Sequence, residues 1–373
     1  MKKRLCLIYN FAPHYREAIF RLINAEYACD WFFGASNSDI KGMDLSLLNR
    51  VSVIPQIKIL QTPFYWQKGI QKLLPRKEYG TYFILGDTHC LSTWLLLLRA
   101  KLFYPHKRIY LWSHGWYGKE NWIERMIKKI FFRLPDGTFL YGNYARSLMI
   151  DQGFDPDKLY VIHNSLSYDK QLELRKLQKR SSIYQDHFGN DAPVLLFIGR
   201  LTPVKRLDML IDAVRILRQN GQKFNIVFVG DGTEKERLQR IVEEQKLASN
   251  VWFYGACYDE SENAMLIYNA DLCVAPGNVG LTAMHTMVYG TPVVTHNRFA
   301  YQMPEFEAIH DGETGTFFNY GDESSLAEAI STWFAYHRGD REMVRQNCYK
   351  EIDTYWTPQY QMDVIKKNLI IGE

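Results

Sequence analysis

Buried strands that alternate with amphipathic helices are the feature that most limits the fold of this chain. In the second half, the apolar run APVLLFIG precedes RLDMLIDAVRILRQNG, whose apolar residues share one helical face and whose helix is expected to end at Gly221. The apolar runs NIVFVG, NVWFYG, DLCVAP and TPVVTH repeat the pattern. Helices are expected after GDG, with Thr233 and Glu236 at capping-box spacing, then from Ser261, before VYG and from about Glu323. Strands joined by helical crossovers run parallel, so the pattern predicts a doubly wound sheet.

The first half repeats this alternation in the runs RLCLIYN, DWFFGAS, TYFILGD, RIYLWSH, GTFLYG and KLYVIHN, with helices expected near Arg16, Leu91, Asn121 and Asn143. A chain of 373 residues exceeds the size at which a single hydrophobic core usually stops growing. The stretch from Asp169 to Asp191 carries no strand pattern, and we interpret it as a helical or mobile linker. We therefore predict an α/β fold of two Rossmann-like, doubly wound parallel-sheet domains facing a cleft, over residues 1–180 and 190–354.

Charge is divided unevenly between the two halves. Residues 1–180 contain 28 Lys and Arg against 15 Asp and Glu, and the rest of the chain contains 17 against 26, although the net charge is only +4. A basic half is typical of proteins that bind a nucleic acid, an anionic membrane surface or a phosphorylated acceptor. A solvated surface of ordinary charged residues has the same composition, so charge alone leaves these alternatives open.

Cysteine usage and hydropathy point to a cytoplasmic protein. The six cysteines are scattered without a close pair, which indicates neither a zinc site nor a disulfide framework. At the start, MKKRLCLIYN has too short an apolar run for a signal peptide, and we interpret it as a strand. The longest apolar run, near Leu91 to Leu98, is interrupted by Ser92 and Thr93 and is too short to span a bilayer.

Two strand-end loops of the second half have residues that suit a nucleoside diphosphate. In FIGRLTPVKR, Arg200 and Lys205 could neutralise a pyrophosphate and stabilise the charge that builds as a sugar bond breaks. As mere surface charges at a helix start they would be disfavoured by the helix dipole. In GNVGLTAMHTMVYG, the backbone amides of Gly280, Leu281 and Thr282 could meet a phosphate just before a helix.

Two further features of these loops carry weaker signals. The sequence VGDG, which contains Gly230, is a common turn between a strand and a helix. His285 lies about one turn beyond Gly280, where it either faces the same loop or is a satisfied core histidine.

These motifs, taken together, resemble the donor domain of the family-four glycosyltransferases, which have the two-domain GT-B architecture. The resemblance runs from about Val194 to Phe318 and includes FIGRL with a lysine five residues after its arginine, VGDG, NVWFYG, ADLCVAP, AMHTMVYGTPVV and DGETG. It implies a nucleotide-sugar donor, retention of anomeric configuration and no metal or other cofactor. The donor-binding residues that we expect are Gly199, Arg200, Lys205, Gly230, Asn278, Gly280, Leu281, Thr282, His285, Glu305 and Glu307.

The chain departs from the family where two glutamates, separated by seven residues, are usual. Aligned on YGTPVV, these positions hold Gly277 and His285. A neutral His285 could accept hydrogen bonds from ribose hydroxyls, as the second glutamate does in the family. Gly277 cannot replace the first glutamate, which approaches the donor sugar, so either Asn278 contacts the sugar or activity has been lost.

A short acidic element follows downstream. Glu305 and Glu307 resemble the family's proline-glutamate element, where one of them would face the sugar or the nucleotide. Ordinary exposed acids in an acidic domain would explain the same sequence.

The first half resembles the family less strongly. The segment NFAPHYREAIF is similar to the loop that lies beneath the acceptor and the donor phosphates, which places Pro13, His14, Tyr15 and Arg16 on the acceptor side. The family often has a histidine at the end of the strand that LWSHGW would form, near the reacting sugar, so His114 is the acceptor-side catalytic candidate beside Arg200 and Lys205. A strand-end hydrogen-bonding role is the structural alternative for His114.

Two segments extend this interpretation beyond the site. The stretch WIERMIKKIFFRL is a basic amphipathic helix that could lie on an anionic membrane, or equally pack in the domain with a solvated basic edge. The aromatic cluster PFYWQK allows the same two interpretations. In the family the last helix crosses back onto the first domain, and we expect residues of about 355–373 to do so.

The expected function is retaining transfer of a hexose-type unit from a UDP- or GDP-sugar to a glycan or lipid-linked acceptor, in bacterial surface polysaccharide assembly. The expected partners are the nucleotide sugar, the acceptor and an anionic membrane at its inner face, with no nucleic acid. A non-catalytic nucleotide-sugar or glycan-binding protein and a nucleotide-sugar epimerase are the alternatives. A dinucleotide-dependent dehydrogenase is disfavoured because FAPHYR stands where its three-glycine fingerprint would follow the first strand.

Overall fold

The computed structural model describes residues 3–35, 41–337 and 339–372. Ser36, at the end of the predicted second strand, and Glu373, at the end of the predicted last helix, lie outside these ranges. The chain divides into two compact units, one formed by Met1–Ser167 with Thr357–Glu373 and the other by Tyr168–Trp356. The division falls earlier than the limits of 180 and 190 drawn from the sequence.

The first unit is built around a parallel sheet in the order β3-β2-β1-β6-β7-β8-β9, with a separate antiparallel pair of β4 and β5. Its strands are β1 (Arg4–Tyr9), β2 (Cys29–Gly34), β3 (Val51–Ile54), β4 (Gln56–Lys58), β5 (Tyr65–Gln67), β6 (Tyr79–Leu85), β7 (Arg108–Ser113), β8 (Gly137–Leu140) and β9 (Leu159–Val161). Its first four helices are α1 (Glu17–Glu26), α2 (Leu91–Phe103), α3 (Trp122–Phe131) and α4 (Asn143–Asp151).

The second unit has a parallel sheet in the order β12-β11-β10-β13-β14-β15. Its strands are β10 (Val194–Ile198), β11 (Asn225–Val229), β12 (Val251–Gly255), β13 (Leu272–Ala275), β14 (Val293–His296) and β15 (Gly315–Phe318). Its helices are α5 (Tyr168–Leu177), α6 (Ile183–Phe188), α7 (Asp208–Gln219), α8 (Lys235–Glu244), α9 (Glu260–Asn269), α10 (Leu281–Met287), α11 (Glu323–Tyr336) and α12 (Arg341–Tyr355). The chain then returns to the first unit as α13 (Pro358–Asn368) and packs on α1.

Alternation along each buried strand creates the two hydrophobic layers of the first unit. In β1, Leu5, Leu7 and Tyr9 join the core beneath α1 and α13, whereas Cys6 and Ile8 join the core beneath α2 and α3. Successive side chains of a strand point to opposite faces, so a strand that is apolar throughout must be covered on both sides. The doubly wound α/β fold predicted from the alternating pattern is confirmed in both units.

In both parallel sheets, the order in which strands are added reverses between two neighbouring strands. In the first, the chain moves from β1 to one side and resumes with β6 on the other, and in the second the same happens at β10 and β13. The crevice beyond the carboxyl ends of such strands is where doubly wound sheets bind ligands. The loops that follow β1, β6, β10 and β13 are therefore the places at which to seek a site.

Two local expectations were wrong. The segment 169–191 is helical, as one of its two interpretations predicted, but it is not a linker, because α5 and α6 belong to the second unit, where Tyr184 of α6 donates to the carbonyl of Leu266. The helix after GDG has Glu234 at its N-cap without a side-chain cap, so Thr233 and Glu236 form no capping box. The short strands β3, β4 and β5 were not predicted, because none of them contains a long apolar or alternating run.

The helices of both units were compared in length and apolar content with a membrane span. Among the residues that the structure describes, no helix combines the length and the apolar content needed to cross a bilayer.

Candidate active site

The loop after β10 lies close to the loop after β11. The amide of Leu201 donates to the carbonyl of Asp231, and the amide of Gly199 donates to the carbonyl of Val229, each at 2.9 Å. Gly230 has a φ of 147°, and a Cβ at this position would overlap the carbonyl of Gly199, so only glycine fits. The GDG turn therefore shapes the loop that carries Arg200.

Lys205 is the central cation of this edge. Its Nζ donates to the backbone carbonyl of Asn278 at 2.7 Å and to the Asn278 side-chain oxygen at 2.8 Å. Burial lowers the pKa of Lys205 to about 8, with the charge of Arg200 acting in the same direction and Glu305 opposing both. Arg200 itself is exposed. Among the described residues, neither cation has a carboxylate within ion-pair distance.

Gly277 explains how the two loops come together. Its amide donates to the carbonyl of Lys205 at 2.9 Å, and a Cβ at Gly277 would overlap the carbonyl oxygen of Val204. The position that carries a glutamate in the resembled family therefore has no room here for any side chain in this backbone arrangement. Gly280, at the N-cap of α10, lies beside Lys205, since a Cβ on Gly280 would be 3.9 Å from Nζ.

The first residues of α10 are held against β10. The hydroxyl of Thr282 donates to the carbonyl of Ile198 at 3.0 Å. Because the first amides of a helix have no partner within it, those of Leu281 and Thr282 remain available to a ligand oxygen. Leu281 and Thr282 are both half-buried at this edge.

A buried glutamine that the sequence reasoning missed supports the same loop. Gln302 accepts from the amide of Val279 at 2.9 Å and donates to Thr295 Oγ1 at 2.7 Å and to the carbonyl of His296 at 3.1 Å. Thr295 in turn donates to the carbonyls of Ala275 and Gly277. An amide has a donor and an acceptor, so a single Gln302 side chain fixes the loop from below.

His285 is paired rather than buried in an apolar core. Its Nε2 donates to Glu260 Oε1 at 3.1 Å, and the same oxygen accepts from Gln171 at 2.9 Å and from Tyr289 at 2.7 Å. Burial alone would raise the pKa of Glu260, but His285 and these hydrogen bonds outweigh it and lower the pKa to about 2. The carboxylate thus stays charged and holds the His285 ring through Nε2.

Glu260 was absent from the sequence-derived site, although a signal existed. It follows β12 in YGACYDE, at the carboxyl edge of the same sheet, where an acidic side chain is a candidate by position alone. Glu305 and Glu307 lie in a 3-10 helix over Pro304–Ala308 that packs on α10. Glu305 is buried, so it is not an ordinary exposed acid, whereas Glu307 is half-buried.

The first unit contains a cavity of about 700 Å³ at the corresponding edge of its own sheet. Of the residues predicted for the acceptor side, Pro13, Tyr15, Arg16 and His114 line this cavity. His14 is exposed, and its ring nitrogen lies 3.0 Å from the carbonyl of Lys41. Residues of the loop after β6 and of α3 complete the lining.

His114 lies at the end of β7, against the ring of Tyr141 at 4.6 Å between centroids. Its Nδ1 is buried without a hydrogen-bond partner in the described part of the chain. Burial, followed by the charges of Arg16 and Lys128, lowers the pKa of His114 to about 4. The imidazole is therefore neutral at pH 7 and has one nitrogen able to accept a proton or a hydrogen bond.

The fold of this chain is shared with proteins of known structure. The structure of Anabaena HepE in complex with UDP is similar over 98% of this chain and 99% of that one, with a TM-score of 0.71 and 16% identity. The lipopolysaccharide outer core galactosyltransferase WaaB, in its apo form, gives a TM-score of 0.72 and 14% identity over 98% of this chain and 99% of that one. The chain thus has the GT-B fold of such glycosyltransferases.

The amino-acid sequence is also similar to known sequences. Residues 179–351 match the family model described as "Glycosyl transferases group 1". An uncharacterized 41.2 kDa protein of the cps region of Klebsiella pneumoniae is 25% identical over 264 residues, 70% of this chain. The aligned segment spans 63% of that relative's length.

The depressed pKa of His114 makes stability depend on pH. The unfolded chain takes up a proton near pH 6.5, whereas folded His114 does so only near pH 4, so stability present above pH 6.5 is lost as the pH falls towards 4. We expect the free energy of urea unfolding of the first unit to fall less steeply over this range in His114→Gln than in the wild type. Equal slopes would mean that His114 is not held neutral.

Proposed function

We propose that the protein transfers a hexose-type sugar from UDP- or GDP-sugar to a glycan or lipid-linked acceptor, with retention of configuration, in bacterial surface polysaccharide assembly. The carrying observation is the pair Lys205 and Arg200 at the reversal point of the second sheet, two cations without a carboxylate within ion-pair distance among the described residues. A diphosphate supplies the missing negative charge. The binding of UDP by the similarly folded HepE supports this assignment.

The donor would be held by groups of known chemistry. Lys205 and Arg200 neutralise the diphosphate and stabilise it as it departs, and no metal takes part because these cations supply the positive charge. The amides of Gly280, Leu281 and Thr282 add donors to the phosphate oxygens. Nδ1 of His285, with Nε2 engaged by Glu260, accepts from a ribose hydroxyl.

The sugar end of the donor needs a different arrangement from the resembled family. Since Gly277 offers no carboxylate, we assign the contact with the sugar to the side-chain NH₂ of Asn278, whose oxygen is already bound to Lys205. Glu305, whose charge raises the pKa of Lys205, is the acid that we place near the sugar. The departing phosphate accepts the proton of the acceptor hydroxyl, and neutral His114 hydrogen-bonds the reacting groups.

Donor binding is the first test. Isothermal titration should detect UDP or GDP, and Arg200→Ala and Lys205→Met should each weaken the affinity by about tenfold or more, the value of one charge-assisted hydrogen bond. Lys223→Met is the matched control, because this exposed lysine precedes β11 at the opposite edge of the sheet. The proposal fails if neither nucleotide binds and Arg200→Ala changes nothing.

The pKa of Lys205 adds a pH signature to that titration. The ammonium is charged below about pH 8 in the free protein, so affinity should fall as the pH rises through 8, by up to about tenfold per pH unit. The Lys205→Met variant should lack this fall. A fall of the same size in Lys205→Met would assign the pH dependence to another group.

Transfer itself is tested at His114. His114→Ala should suppress transfer of labelled sugar to a membrane glycolipid extract while leaving nucleotide affinity nearly intact, and EDTA should leave the wild-type rate unchanged. His106→Ala, an exposed histidine beyond α2, is the control. Full activity in His114→Ala would remove this residue from the mechanism, and NMR of the product's anomeric proton tests retention.

A non-catalytic nucleotide-sugar-binding protein is the second candidate. The observation that favours it is Gly277, where the backbone leaves no space for the carboxylate that the resembled family places near the sugar. Any turnover, including slow hydrolysis of the nucleotide sugar, would eliminate it. An epimerase would instead convert the nucleotide sugar without an acceptor.

Membrane attachment at the cytoplasmic face is part of the proposal. On α3, Trp122, Met126 and Ile130 lie one turn apart on one face and are 71%, 55% and 54% exposed, and Phe131 is the helix residue that is buried. The neighbouring α2, which packs on α3 through Trp94 and Phe131, exposes Leu95, Leu98, Leu102 and Phe103. Exposed Arg125 and Arg133 flank this apolar face, so an anionic lipid surface complements it.

Vesicle sedimentation tests this attachment. The double variant Trp122→Ser, Met126→Ser should lower partition onto phosphatidylglycerol-containing vesicles by about tenfold or more, because burying a large apolar side chain contributes about 2 kcal/mol. Leu177→Ser is the control, since Leu177 of α5 is equally exposed at 71% but lies in the second unit. Undiminished binding of the double variant would contradict the assignment.

A further inference from the structure

Arg16 is a buried cation that has no counter-ion within the described ranges of the chain. Its side chain is 8% exposed, and its guanidinium lies over the rings of Trp112 at 4.8 Å, Tyr141 at 5.1 Å and Tyr9 at 5.9 Å. Nη2 donates to the Tyr141 hydroxyl, whereas Nη1 has no hydrogen-bond partner among the described residues. Aromatic faces attract a cation but do not neutralise it, so the isolated charge lowers the stability of the free protein.

Other polar atoms around Arg16 are also unsatisfied. Tyr9 Oη, Trp112 Nε1 and His114 Nδ1 are buried without a hydrogen bond in the described part of the chain. The rings of these residues form one cluster, since Tyr9 and Trp112 lie 6.0 Å apart and His114 contacts Tyr141. A tyrosine hydroxyl and an indole nitrogen are hydrogen-bond donors, so the cluster lacks acceptors rather than donors. Orphaned buried groups are rare and call for a missing partner.

The acids that line the same cavity do not supply that partner. Asp87 accepts from the Tyr65 hydroxyl and from His89, and Glu120 accepts from Lys128 and from the amides of Tyr117 and Gly118. Glu124 accepts from the amide of Asn121 at the start of α3. Each carboxylate is thus engaged locally, and none lies within ion-pair distance of Arg16 among the described residues.

We infer that Arg16 and His114 form a binding site for an anionic group, phosphate or carboxylate, carried by the acceptor. This inference rests on the proposed glycosyl transfer and adds the chemical class of its acceptor. A guanidinium presents paired N–H donors that match the oxygens of either anion, and the neutral His114 can donate a further hydrogen bond. The bound anion supplies the charge and the acceptors that the cluster lacks.

The position of the site favours an acceptor at a membrane surface. Ile127 and Lys128 of α3 line the cavity together with Arg16, and Ile127 is itself 41% exposed. A phosphate close to a lipid interface can reach the cavity past α3. A carboxylate on an acidic sugar is also an anion, so the two sources must be separated by experiment.

The test measures binding of small anionic sugars with the donor site saturated by UDP, so that Arg200 and Lys205 cannot bind the probe. Tryptophan fluorescence reports on the cavity because Trp112 lies against Arg16. Glucose 1-phosphate and glucuronate represent the two sources, and glucose is the neutral control. We expect at least one anionic probe to bind the wild type and glucose to bind at least about tenfold more weakly.

Two variants assign that binding to Arg16. Arg16→Gln should weaken the binding of the anionic probe by about tenfold or more. Arg21→Gln, which removes an exposed arginine of α1 paired with Glu17, should change the affinity by less than about twofold. Both variants should bind UDP as the wild type does. A melting temperature of Arg16→Gln equal to or above that of the wild type is expected, because the unneutralised buried charge is removed.

Several results would overturn the inference. Equal affinity of the anionic probe in Arg16→Gln and the wild type would exclude Arg16 as the site, and a markedly lower melting temperature with unchanged probe binding would make it a structural residue. Loss of UDP affinity in Arg16→Gln would assign the anion to the donor instead. Absence of both UDP and GDP binding in the wild type would defeat the proposed function, while an Arg16-dependent anion titration could still be observed.

Discussion

The close approach of the loop after β10 to the loop after β13 is the constraint on which the donor-side chemistry depends. It requires Gly277, whose amide binds the Lys205 carbonyl and whose missing side chain leaves room for Val204. Through this contact the Lys205 ammonium reaches Asn278 and stands beside Gly280. The same contact that removes a family carboxylate thus places a partly buried cation at the edge of the sheet, where a doubly wound fold binds its ligand.

The two units use one physical arrangement twice. In each unit, the strand order of the sheet reverses between two neighbouring parallel strands. A cation with little access to water lies at the carboxyl edge there: Arg16 in the first unit and Lys205 in the second. Burying a charge without an ionic partner costs stability, and the apolar layers on both faces of each sheet offset that cost. Such a cost is common where a ligand completes the electrostatics, because binding sites are kept at the expense of stability.

Much of the fold was predictable because strands covered on both faces are apolar throughout and the helices between them are amphipathic. The apolar runs predicted to be buried strands form β1, β10 and β13. The failures are equally physical. The strands β3 to β5 are only three or four residues long, so no apolar run of sufficient length marks them. The segment 169–191 reads as polar because α5 and α6 are mostly exposed, yet the few residues they bury attach them to the second unit.

The sequence by itself determined the element order, the parallel sheets and the residue types at each strand end, because these follow from local periodicity and turn chemistry. Tertiary structure decided which of those residues meet. The pairing of Glu260 with His285, the support of the β13 loop by Gln302 and the isolation of Arg16 among three aromatic rings join segments far apart in the chain. Hydrogen bonds and buried charges depend on distances of a few ångströms in space, and separation along the chain carries no information about them.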